Sequence, residues 1–207
     1  APMGVYLALN SLPGGIAAGW AIPMATDIAF AMGVYNFFKN RMPPAVATFL
    51  LEKGAEVGAK DGDSQTALHW ACVRGSLPCA ELLLRSGASI ASRDVRGYDC
   101  AHVAAQYGHA SMLYHFLLRW NLDVNCMDED RRCPLHWGAY KGFKDVVKLL
   151  LAFDADVMRP DREGCTALHW AAIRGKAEAA HVLALCGGEE LLKARDTDGN
   201  TPSQLAM

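Results

Sequence analysis

Cysteine and histidine recur together along this chain. The pairs Cys100-x-His102, Cys133-x-x-His136 and Cys165-x-x-x-His169 carry thiolate and imidazole, the ligand types that hold zinc. A histidine beside a cysteine is also the pairing that activates a thiolate nucleophile. Asp27 is the one charged residue between Ala1 and Phe38. A carboxylate inside such an apolar run marks an ion path when the run spans a membrane. Trp70, Trp137 and Trp170 each follow a histidine and offer flat surface of the kind that anchors a protein partner.

The elements that must position these residues show in the spacing. His69, His102, His136 and His169 lie 33, 34 and 33 residues apart, and Gln204 stands 35 further on. A glycine follows six residues after each histidine, at Gly75, Gly108, Gly142 and Gly175, where a helix end needs positive φ. A second apolar run comes next in each unit, such as Ala80-Glu81-Leu82-Leu83-Leu84 and Val146-Val147-Lys148-Leu149-Leu150-Leu151. A turn rich in Asp and Gly opens each unit, as at Asp61-Gly62 and Asp161 to Gly164. The unit is therefore turn, short helix, turn, longer helix. No unit can bury its apolar face alone, so stacking must supply the core.

The strings Thr66-Ala67-Leu68-His69-Trp70-Ala71, Cys133-Pro134-Leu135-His136-Trp137 and Thr166-Ala167-Leu168-His169-Trp170-Ala171 resemble the repeated signature of ankyrin repeats. The fold expected is all-α: an ankyrin-repeat solenoid behind an apolar, helical N-terminal segment. That segment is 1–44 and the repeat domain 45–207. A half repeat at 45–60 precedes full repeats at 61–93, 94–127, 128–160 and 161–195, and a half repeat at 196–207 follows. Within the repeats, Ala101-His102-Val103-Ala104-Ala105-Gln106-Tyr107-Gly108 and Pro134 to Phe143 look like the ankyrin region of DHHC-type protein S-acyltransferases. Catalysis in that family belongs to a separate domain with an Asp-His-His-Cys string. This sequence contains no such string. The resemblance implies a module that recruits substrates or partners and is not itself an enzyme.

The start of the chain differs. Ile16 to Phe38 is 23 residues of nearly unbroken apolar character, long enough to span a bilayer or to associate with one. The run Gly19 to Val34 resembles bacterial Na⁺/H⁺ antiporters. There the Thr-Asp pair sits where a membrane helix is interrupted beside the ion site, so the resemblance makes Thr26 and Asp27 ion-binding residues. The family's following helix, with its adjacent aspartates, has no counterpart here. The alternative reading of the whole is thus a transport-incompetent antiporter fragment fused to ankyrin repeats.

Composition narrows the rest. Lys+Arg 20 against Asp+Glu 22 leaves no basic stripe for nucleic acid. Hydrophobic residues at 52% exclude a disordered chain, and a mean hydropathy of +0.07 excludes membrane spans along its whole length. Seven scattered cysteines without a C-x-x-C pair read as free thiols in a reducing, cytosolic setting. Each Cys–His pair lies in a different repeat at the motif's own helix start, so neither a metal nor any other cofactor is expected. Binding is the remaining class. The groove residues expected are Trp70, Tyr107, Trp137, Tyr140 and Trp170, with Arg74, Arg174 and Lys141 at the ends of the same short helices. They would line a concave groove for a protein or peptide, although three tryptophans in phase also suit internal packing.

Overall fold

The computed structural model describes residues 44–206, Lys53 excepted. The expectations for the apolar segment, including Thr26, Asp27 and the run 16–38, lie outside the described residues. Two compact units divide the chain after Ser89. The first contains α1 (Pro44–Glu52), α2 (Ala67–Arg74) and α3 (Leu77–Arg85). The second contains α4 (Cys100–Tyr107), α5 (Ala110–Arg119), α6 (Pro134–Lys141), α7 (Lys144–Ala152), α8 (Ala167–Ile173), α9 (Ala177–Lys193) and α10 (Pro202–Leu205). The described residues contain no strand, only an isolated bridge between Lys60 and Thr66. None of their helices is long and apolar enough to cross a membrane.

The short helices begin and end for local reasons. Thr66, Asp99, Cys133, Thr166 and Thr201 each sit at an N-cap in extended backbone. The residue three positions on, a histidine or finally Gln204, reaches back to the cap backbone and closes a reciprocal box. Gly75, Gly108 and Gly142 then stop α2, α4 and α6 in the left-handed conformation that a side chain resists. The next helix starts within two residues.

The longer helices bury one face. Leu83, Phe116, Leu150 and Leu183 occupy one column of the repeat and are fully buried in α3, α5, α7 and α9. Truncating such a residue to alanine costs about 2 to 5 kcal/mol. On the short helices the column Ala71, Ala104, Gly138 and Ala171 is small. A Cβ on Gly138 would stand 3.0 Å from Val146 Cγ1, so even a methyl group there would crowd α7. In the second unit α4, α6, α8 and α10 stack in sequence, as do α5, α7 and α9. In the first, α3 packs against both α1 and α2.

Asp-centred turns join the repeats. The backbone of one turn tip hydrogen-bonds the next: Glu129 N to Arg96 O, Arg162 N to Asp130 O and Thr197 N to Glu163 O, at 2.9 to 3.1 Å. Gly164 has φ +74, and a Cβ there would lie 2.9 Å from Thr197 N, so both the turn and the neighbouring tip demand glycine. Arg131 holds the same place one repeat earlier with φ 62.

Candidate partner-binding site

The tryptophans that follow the motif histidines are anchored from below. Each turn aspartate uses Oδ1 to accept two backbone N–H groups. Asp161 Oδ1, for example, accepts from Glu163 and Cys165 at 2.9 Å. Its Oδ2 is left for the indole nine residues later. Trp70 Nε1 donates to Asp61 Oδ2 at 2.9 Å, Trp137 to Asp128 at 3.3 Å and Trp170 to Asp161 at 2.9 Å. All three indoles are half-buried. With the polar edge satisfied, what remains outward is apolar ring.

In the second unit these rings converge. Tyr140 meets Trp137 edge-on at 5.8 Å and Trp170 at 5.5 Å between ring centroids. Tyr98 closes the far side of Trp137 at 5.3 Å. Arg132 lies between the indoles, its Cζ 5.1 Å from the Trp170 ring and 5.9 Å from Trp137, within cation–π range. Asp130 and Asp161 hold its guanidinium at 3.2 and 3.8 Å. Its buried Nε has no hydrogen-bond partner. Arg132, His136, Trp137, Tyr140 and Trp170 line an open cavity of about 140 Å³. The room matches one or two small side chains.

Among the residues expected from the sequence, Trp137, Tyr140 and Trp170 meet there. Arg174 lies 4.8 Å over the Tyr140 ring and Lys141 5.6 Å from it. Tyr107 does not share the arrangement: it is 49% exposed and stacks on His109 at 6.4 Å. Tyr140 comes four residues after its histidine and Tyr107 five, and one residue turns a helix by about 100°. Trp70 and Arg74 belong to the first unit, both half-buried. Arg132 and Tyr98 were not anticipated. The aspartate nine residues before each tryptophan was a visible signal, whereas Arg132 depends on how one repeat registers on the next.

The motif histidines are structural. His136 accepts the Cys133 backbone N–H at Nδ1, 3.1 Å away, and donates from Nε2 to the Cys165 carbonyl of the next repeat at 3.1 Å. His169 repeats this with Thr166 and Asn200. Burial pushes the His136 imidazole below its ordinary value, against the opposing pull of Asp161. The Cys133 and Cys165 thiols are held protonated. Burial raises Cys133, and burial with Asp161 pushes Cys165 up to about 12. A thiol so raised is a poor nucleophile at neutral pH.

Stacked pairs of helices, boxed by histidine and joined by aspartate turns, define a helical repeat protein built for binding surfaces. A family model described as ankyrin repeats matches residues 37–118 and 101–193. The chain belongs to the ankyrin-repeat family. A second family model, Na⁺/H⁺ antiporter 1, matches residues 1–53. Among similar proteins, probable protein S-acyltransferase 23 of Arabidopsis thaliana is 44% identical over 113 residues, covering 55% of this chain and 21% of that protein. Inversin of Canis lupus familiaris is 33% identical over 180 residues, covering 84% of this chain and 16% of its own length. The Na⁺/H⁺ antiporter NhaA of Oleidesulfovibrio alaskensis is 53% identical over 51 residues, 24% of this chain and 11% of that protein. The chain thus spans about a fifth or less of each relative's length.

Proposed function

We propose that the second unit captures a segment of a partner protein in the cavity between Trp137 and Trp170. The observation that carries this reading is the pinning of both indoles by turn aspartates. It presents apolar ring without mobile polar edges, and rigid aromatic surface gives large contact at little entropic cost. Arg174 and Lys141 add positive charge at the rim. Trp70, with Arg74, offers the same aspartate-held indole in the first unit and is proposed as a further contact. Tyr107, exposed elsewhere on the second unit, is a weaker candidate on its placement.

The similarity to an S-acyltransferase supports a narrower reading, in which the module recruits substrates for protein S-acylation from the cytosolic side. The match of residues 1–53 favours a second reading, an antiporter piece joined to ankyrin repeats, with Thr26 and Asp27 as the inherited ion-site residues. Membrane association through residues 16–38 fits either. Panning a displayed peptide library on the full chain tests the binding claim. Enriched peptides should lose at least ten-fold in affinity on Trp137→Ala or Trp170→Ala while the melting transition persists. Peptides that bind both variants as well as the parent overturn it.

A further inference from the structure

One repeat departs from the others at two places that meet. Where the caps of the other full repeats carry Thr66, Cys133 and Thr166, this repeat carries Asp99. Two residues before the turn aspartate, where other repeats have Ser92, Arg159 and Ala194, it carries Cys126. Both face His102. Asp99 Oδ1 lies 2.9 Å from His102 Nδ1, and Cys126 Sγ lies 3.6 Å from the same nitrogen. One ligand atom from each residue falls within 4.8 Å of the other two, and all three side chains are buried.

The surroundings suit a metal. His102 Nε2 donates to the Arg132 carbonyl at 2.9 Å, the outer hydrogen bond that orients a ligating imidazole and turns its other nitrogen toward the ion. At zinc bond lengths a tetrahedral centre separates its ligand atoms by about 3.3 to 3.6 Å. The sulfur–nitrogen distance already matches, and the oxygen–nitrogen distance needs to open by a few tenths of an ångström. In the other repeats Nδ1 is occupied as an acceptor of a cap N–H, at 3.1 Å in Thr66, Cys133 and Thr166. Here the box is closed by a longer hydrogen bond, 3.4 Å from Asp99 N. Asp99 Oδ1 also caps α4 by accepting the Ala101 and His102 N–H groups at 2.9 and 3.2 Å, so an ion would take Nδ1 from the weaker cap contact and share Oδ1 with the cap.

We propose that Asp99, His102 and Cys126 form a zinc site inside the second unit. Imidazole, thiolate and carboxylate together favour zinc over hard cations such as calcium or magnesium. Zn²⁺ displaces the thiol proton of Cys126 to solvent, and sulfur bonds the metal as thiolate. The ion ties the start of α4 to the segment leading into the next turn. Three protein donors leave the fourth tetrahedral position to a water, and the ion fastens the repeat beneath Arg132, whose side chain forms the wall of the aromatic cavity.

Cobalt titration of the full chain, stripped with chelator, tests the site. Each variant borrows a residue that another repeat already uses in that place: Asp99→Thr, His102→Gln and Cys126→Ser, with Cys133→Thr as control. The parent should take up one Co²⁺ with a near-ultraviolet thiolate-to-cobalt charge-transfer band that Zn²⁺ abolishes. Cys126→Ser should lose the band, and Asp99→Thr and His102→Gln should bind at least ten-fold more weakly. Cys133→Thr should behave as the parent. The parent titration decides by itself, since a folded chain without the band overturns the proposal. An undiminished band in Cys126→Ser overturns it equally.

Discussion

Trp170 gives its indole N–H to Asp161, nine residues earlier and 2.9 Å away, and Asp161 is itself the hub of the turn that precedes α8. The residue that shapes the cavity is therefore fixed by the residue that shapes the turn. Asp128 and Trp137 repeat the relation at 3.3 Å, and Arg132 extends from the Asp128 turn to lie over the next indole. Cavity and repeat junction are one hydrogen-bonded unit.

That coupling is measurable. Trp170→Phe keeps an aromatic ring but removes the donor to a buried carboxylate, a loss of about 1 to 2 kcal/mol. Asp161→Ala should cost more, because the turn amides of Glu163 and Cys165 also lose their acceptor. Since the two residues share one bond, the double variant should be less destabilised than the sum of the singles, with a coupling of about 1 kcal/mol. Urea melts of the four proteins check this. Strict additivity would separate indole from turn.

Arg131 offers a stabilising change. It holds φ 62 where Gly97, Gly164 and Gly199 hold +78, +74 and +83 in the neighbouring turns. The left-handed conformation costs a non-glycine residue about 1 to 2 kcal/mol, and glycine's unfolded-state entropy offsets part of the relief. Arg131→Gly should raise stability by about 0.5 to 1 kcal/mol, seen as an increase of about 1 to 4 °C in melting temperature for a chain of this length. An unchanged or lower midpoint would show that the arginine side chain contributes more than its backbone loses.

His136 should make the second unit acid-sensitive. Burial lowers its folded pKa beneath the ordinary 6.5, against the pull of Asp161 and Asp128, while Arg132 adds to the lowering. The unfolded chain then binds the extra proton, so stability rises with pH across this range. The contribution is fully present above the ordinary histidine range and is lost as pH falls below it. His136→Gln should flatten the dependence between about pH 7 and pH 5, because Gln204 already closes the same box at Thr201. Melts at several pH values compare the slopes.

The repeat architecture was legible because its markers answer local needs. Histidine closes a helix start, glycine ends the same helix, and Leu83, Phe116, Leu150 and Leu183 keep one buried column. The phase of the tryptophans was equally visible, and so were the aspartates beneath them. Arg132 was not, because it touches a ring 38 positions further on and only stacking brings the two together. Tyr107 stands apart from the other rings, stacked on His109, because a single residue of offset from its histidine moves it to another face of the helix. The Asp99, His102 and Cys126 cluster escaped for a similar reason: Cys126 lies 24 residues after the histidine, outside any short ligand spacing.

Binding and folding can be separated at the tryptophans themselves. Trp70, Trp137 and Trp170 are half-buried, and each ends in a hydrogen bond to aspartate. A fully buried tryptophan truncated to alanine costs about 3 to 5 kcal/mol, so a half-buried one should cost nearer 2. A ring that also anchors a partner should lose about 2 kcal/mol or more of binding on top, near thirty-fold in affinity. Trp137→Ala, inside the aromatic cavity, should show both losses, and Trp137→Phe should recover much of the affinity. For Trp70→Ala the same pair of measurements tests whether the first unit takes part. A large fall in melting temperature with unchanged affinity of the folded fraction would make that indole a packing residue alone. If all three alanine variants behave in this way, the tryptophan phase serves the stack and the partner is held elsewhere.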